Sequence, residues 1–186
     1  MKSVLISIQP YWVFLIIAKS MGWDIKQEKT IEVRKNFPKD ENWDKTVEIY
    51  CSKDKKSFNR IPKEYQPAMK QFLGKVVGEF VCNDIEGYAS NCTASESVLS
   101  PTPDDLKDMC LSLDELNSYG TRDKLLYGWH ISKLLVYKKS KELNELRLYD
   151  VRAYYDEELK LPMPTHEIKR PPQSWCYVER SDNNGE

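Results

Sequence analysis

No run of apolar residues in this chain is longer than seven, Trp12 to Ala18, whereas a helix that crosses a bilayer needs about 20. No membrane-spanning helix is therefore expected. The same segment is preceded by a single basic residue and followed by Lys19 and Trp23, without a small-residue cleavage site, so a signal peptide is not expected either. Paired cysteines are also missing. The five present, at 51, 82, 92, 110 and 176, are odd in number, widely spaced and form no C-x-x-C, a usage that fits the reducing cytoplasm. Without paired ligand spacing, Cys51, Cys82, Cys176 and His130 are not read as a zinc site, and neither a metal nor a cofactor is expected. Nucleophile elbow, P-loop, H-E-x-x-H and dinucleotide fingerprint are all absent, which removes most familiar catalytic classes. Nor is there an excess of one charge. The formal net charge of -1 argues against an indiscriminate nucleic-acid binder.

The chain has 186 residues, 40% of them hydrophobic and 31% charged, enough for one domain with a real core. A single domain is expected over residues 1–180, with the polar SDNNGE of 181–186 as a disordered tail. Charge is distributed unevenly within it. Residues 26–75 carry 13 Lys and Arg against 8 Asp and Glu, residues 76–120 carry 1 against 9, and residues 121–180 carry 12 against 9. A basic surface can then attract phosphate while an acidic segment limits it.

Residues 29–34 read KTIEVR. Strict alternation puts Ile31 and Val33 on one face of a short strand and Thr30, Glu32 and Arg34 on the other. The apolar face suits a core; the polar face holds an acid and a permanent cation near enough to pair or to address one ligand. Lys29 joins them if the turn that feeds the strand bends it inward.

Before this strand, residues 3–8 read as a buried first strand and Pro10 opens a helix over about 11–21. Its first two turns have no polar face, so it is either covered on several sides or offers a surface to a protein partner. A third strand is expected over 46–51, followed by a basic loop in which Lys53, Lys55, Lys56, Arg60 and Lys63 alternate with Phe58 and Tyr65, residue types used for phosphate contact and base stacking. In the strand GKVVGEFVC, Glu79 is an acid among apolar residues, expected to pair with Lys29 or Arg34 if buried. Residues 90–120 form an acidic excursion with two helix starts, Thr102-Pro103 with Asp105 and Ser112 with Glu115, placed to cover one mouth of a cleft. YGWHIS and KLLVYKK follow as adjacent strand segments, with LYDVRAYY extending or wrapping the sheet. Arg170 to Trp175 then leads into a last strand, SWCYVE, that can close a barrel against the first.

The order of first strand, helix and KTIEVRK resembles the opening of ASCH domains (activating signal cointegrator homology), whose motif is written G-x-K-x-x-E-x-R. Lys29, Glu32 and Arg34 match it, and Gln27 stands at the glycine position. SIQP (7–10), VEIYCSK (47–53), GKVVGEFVC (74–82), YGWHIS (127–132) and RPPQSWCYVE (170–179) are similar to segments of the same family in the same order. The resemblance covers most of the chain, is closest to bacterial and phage members, and thins over 89–120 and 148–168. It implies an α+β, PUA-like fold, a mixed and mostly antiparallel β-barrel with short flanking helices. It also implies a cleft for RNA or a modified nucleoside, lined by the motif strand. Together with the residue types above, the expected ligand-binding set is Lys29, Glu32, Arg34, Lys55, Lys56, His130, Arg170, Gln173 and Ser174. A basic cleft of this kind predicts steep salt dependence, reduced by Lys29→Ala or Arg34→Ala. Some similar proteins are amidohydrolases on acylated cytidines, or ribonucleases. The alternative expectation is therefore a hydrolase in which Lys29 activates water or polarises a carbonyl and Glu32 or Glu79 moves the proton.

Overall fold

Val4, Ile6 and Ile8 alternate with Leu5 in β1 (Lys2–Ile8), and every one of them is buried, so this strand is covered on both faces. In the computed structural model, which describes residues 2–89, 100–121, 124–149 and 166–179, it lies inside a six-stranded sheet. β1 runs parallel to β3 (Thr46–Cys51) and antiparallel to the last described strand. β4 (Val76–Val81) follows β3, and the small three-stranded sheet contributes β2 (Ile31–Arg34), β5 (Ile85–Ala89) and β6 (Leu125–His130). β7 (Ser132–Lys141), β8 (Arg147–Leu148) and β9 (Trp175–Glu179) complete the set. The large sheet has the order β7-β4-β3-β1-β9-β8 and the small one β2-β6-β5.

The mixed, mostly antiparallel character is as expected, and β1 pairs with the SWCYVE strand as anticipated; among the described residues the two sheets do not close into a barrel. β6 and β7 are consecutive but belong to different sheets. The chain passes between them at Ile131, whose amide donates to Thr30 rather than to the large sheet, and Lys133 just beyond has φ of 47°. Lys133 sits where the β4–β7 pairing shifts register between Ser132 and Leu135, a bulge at the start of β7.

Helix α1 (Pro10–Ile17) ends at Ala18, earlier than the apolar pattern suggests, and residues 18–22 turn back with Gly22 at φ 69°. Six of its eight residues are buried. Val13, Phe14, Ile16 and Ile17 pack with Val4, Ile6, Ile8, Val47 and Ile49 in the main core. Of the two expectations for this helix, cover on several sides describes these residues, which fill the chain's own core.

The two acidic helices are α4 (Pro103–Met109) and α5 (Leu113–Tyr119), and both begin with the capping boxes read from the sequence, Thr102 with Asp105 and Ser112 with Glu115. Met109 and Leu116 cover Ile31, Val33, Tyr88 and Leu126 of the small sheet. Close packing there requires Gly128 on β6, where a Cβ would stand 2.7 Å from the Tyr88 ring and 2.8 Å from Ile31. Two more short helices, α2 (Lys55–Phe58) and α3 (Gln66–Lys70), bridge β3 and β4. Among the described residues no helix is long and apolar enough to cross a membrane. Cys92, the 150–155 part of LYDVRAYY, and the 181–186 tail lie outside the described residues.

Candidate ligand-binding cleft

The alternation of KTIEVR is preserved in β2, but both of its faces are buried. Ile31 and Val33 enter the core under α4 and α5. On the opposite face, Glu32 pairs in register with Trp129, and Arg34 follows two residues on. Lys29 does bend inward. Its amide donates to the Leu15 carbonyl and its Nζ to the Met109 carbonyl at 2.7 Å. Gln27 makes the preceding turn without a positive φ, and its side-chain amide donates to the Lys107 carbonyl at 2.7 Å, so helix α4 fixes the approach that glycine would otherwise leave free.

The carboxylate of Glu32 is shared. One oxygen lies 3.5 Å from Lys29 Nζ and the other 3.0 Å from Arg34 Nη2. Arg34 Nη2 also donates to the Ser7 carbonyl at 2.6 Å, which ties the motif strand to β1. All three side chains are more than 90% buried. Burial lowers the pKa of the Lys29 amine, an effect that Glu32 opposes. Arg34 Nε and Ser52 Oγ are buried polar atoms with no hydrogen-bond partner, a costly arrangement that a bound polar ligand would relieve.

These groups line a cavity of about 650 Å³ together with Trp12, Arg60, Tyr119 and Gln173. Arg60 stacks its guanidinium 4.1 Å from the Tyr11 ring centroid and 4.9 Å from that of Trp12, and Lys29 Nζ lies 5.1 Å from the same indole. Asp114, Glu115 and Ser118 of α5 form another wall. The second acidic helix thus borders the cleft, where the excursion was expected to cover it.

Of the other expected site residues, Gln173 lines the cavity and the rest do not. Lys55 and Lys56 are exposed. Asp54 caps α2, and Ser57, the inward residue of that turn, is buried and accepts from the Tyr11 amide, which leaves the two lysines facing away. Arg60, from the same basic loop, reaches the cleft instead. His130 lies on β6 next to Trp129, and strand alternation sends it to the other face, beside Glu86. Arg170 is exposed and borders a separate depression with His166, Glu167 and Cys176. The Ser174 hydroxyl meets Asn36 Oδ1 at 3.3 Å, and its carbonyl accepts from the Ser7 amide.

Glu79 is placed differently from the expected pairing with Lys29 or Arg34. It stands opposite Glu48 in the β3–β4 register and accepts from the Tyr137 hydroxyl at 2.7 Å. Glu48 is 1% exposed and lies 3.5 Å from Lys141 Nζ; burial raises its pKa. This second polar cluster is on the far face of the large sheet, with Tyr50 rather than with Val47 and Ile49. Burial pushes the thiols of Cys51 and Cys82 up to about 12.

Trp12 and Tyr119 were not identified as site residues. Trp12 reads as one more apolar residue in an apolar helix, and Tyr119 stands 85 positions from Arg34 with no local pattern to connect them. No family model matches the chain, and no curated protein matches it.

Proposed function

We propose that this protein is a nucleoside- or RNA-binding domain of the ASCH type that holds one base in the cleft bordered by Lys29, Glu32 and Arg34. The observation that carries this reading is the buried, mutually paired cation–acid–cation set lining a cavity of about 650 Å³. Such a set offers both donors and an acceptor to a planar polar ligand, which is how unstacked bases are read at their edges. Trp12 and Tyr119 supply aromatic surface, and the unsatisfied Arg34 Nε supplies a donor for a carbonyl or ring-nitrogen acceptor. The cavity wall balances three cationic side chains, Lys29, Arg34 and Arg60, against three acidic ones, Glu32, Asp114 and Glu115. That balance favours a neutral base or nucleoside over a run of phosphates.

A second reading is favoured by one observation, the lowered pKa of Lys29. A buried amine with a larger neutral fraction can act as a base, and Glu32 at 3.5 Å can exchange a proton with it. Hydrolysis of an acylated base would then use Lys29 and Glu32, without Glu79. Both readings are tested by incubating wild type and Lys29→Ala with labelled single-stranded RNA, plain nucleosides and acylated nucleosides. Retention without product supports binding. Product formed by wild type and not by Lys29→Ala overturns the binding reading in favour of hydrolysis, and neither retention nor product overturns both.

A further inference from the structure

We propose that Asp84, Glu86 and His130 form a site for a divalent transition-metal ion, outside the cleft and independent of what the cleft binds. The three side chains each present one ligand atom, and these atoms lie within 4.8 Å of one another. Two of the three sit on paired strands. Glu86 is on β5, His130 is on the adjacent strand β6, and Asp84 stands just before β5, its carboxylate in the same cluster. The His130 amide donates to the Asp84 carbonyl at 3.1 Å, which holds the end of this hairpin together.

Three details separate the cluster from an ordinary surface ion pair. First, His130 Nε2 is a buried atom with no hydrogen-bond partner, although the imidazole as a whole is 34% exposed. Secondly, it faces Glu86 Oε2 at 3.5 Å. That is too long for a normal hydrogen bond, which spans about 2.7–3.2 Å, and it leaves room for an ion between the two atoms. Thirdly, Glu86 is held from behind. The Tyr88 hydroxyl donates to its Oε2 at 2.6 Å, and Tyr88 is 1% exposed. Outer hydrogen bonds of this kind orient the carboxylates of metal sites.

The donor set decides the ion. Around zinc, nitrogen and oxygen ligands stand about 2.0–2.2 Å from the ion, which at tetrahedral angles sets them about 3.4 Å apart. His130 Nε2 and Glu86 Oε2, 3.5 Å apart, already match that spacing, and all three ligand atoms lie within 4.8 Å of one another. Asp84, the exposed member, has the freedom to move. One imidazole with two carboxylates suits Zn²⁺, Mn²⁺ or Fe²⁺, whereas all-oxygen sites suit Mg²⁺ and Ca²⁺. Three protein ligands also leave positions open to water or to an anionic group of a ligand.

The test is calorimetric titration of the chelator-treated full chain with Zn²⁺, in wild type, Glu86→Gln, His130→Ala and Tyr88→Phe, each first shown to be folded by circular dichroism. Glu86→Gln is nearly isosteric and still accepts from Tyr88. The expected result is one saturable Zn²⁺ per wild-type chain, weakened by about tenfold or more in Glu86→Gln and His130→Ala and less in Tyr88→Phe. Zn²⁺ affinity unchanged in both ligand variants would place the ion on cysteines or elsewhere and overturn the proposal. So would the lack of saturable binding by wild type at about 1 mM Zn²⁺.

Discussion

Glu32 gives one carboxylate oxygen to Lys29 and the other to Arg34, with all three groups buried. Replacing it by Gln keeps the shape and removes the charge, so two buried cations are left side by side. Breaking a buried pair in this way costs about 3–5 kcal/mol; we expect Glu32→Gln to lower unfolding free energy by about 3 kcal/mol in urea denaturation and to weaken ligand retention. Glu48 makes a prediction of opposite kind. Burial raises its pKa above the ordinary 4.5, so the folded chain keeps this proton at pH values where the unfolded chain has released it. The stability it contributes is full below pH 4.5 and is lost as pH rises through the folded value. The melting temperature of wild type relative to Glu48→Gln should therefore fall as pH rises above 4.5, and a flat difference would remove Glu48 as the titrating group. At this scale the sequence was informative about which residues share a face and uninformative about cover. The residues that close over the strand, Met109 and Leu116 on its apolar face and Tyr119 beside Glu32 and Arg34, come some 80 positions later and have no local signature near it.

Helices show the same division. Both acidic helices start where their capping boxes lie, because a Ser or Thr followed three residues later by an acid satisfies its own backbone amides and needs no distant partner. Their destination depends on tertiary packing, as does the early end of α1, where Phe14 stacks with Trp23 and tilts against Tyr65 at centroid distances of 5.7 and 5.4 Å. Since α5 borders the cleft, its cap and the site are coupled. Ser112→Ala should cost about 1 kcal/mol and speed amide hydrogen exchange over residues 113–119. It should also reduce affinity for the base, although Ser112 is absent from the cavity wall. Unchanged affinity with faster exchange would show that α5 is a cover for the core alone.

Over the whole molecule, charge summation was a poor guide to the cleft. The basic loop of 53–63 contributes Arg60 alone to the cavity wall, and three acids answer the three cations there. The expected steep salt dependence is accordingly revised. With about two phosphates neutralised, log affinity for short single-stranded RNA should fall with log salt at a slope no steeper than about -1.5. A slope near -4 would put the nucleic acid on the exposed lysines instead. Strand identities were legible from alternation, but barrel closure was not, because whether β6 and β7 share a sheet is decided at one corner, Ile131 to Lys133.

The pairing of β1 with β9 joins Lys2 to Glu179 across nearly the full length of the chain. During synthesis β9 is made some 170 residues after β1, so one edge of β1 waits unpaired while all of those residues are added. A nascent chain of this protein carries an open strand edge throughout that interval. Interrupted products that end before residue 175 would never cover it, and they should fall to chaperones and proteases, or to aggregation, rather than persist as partly folded domains.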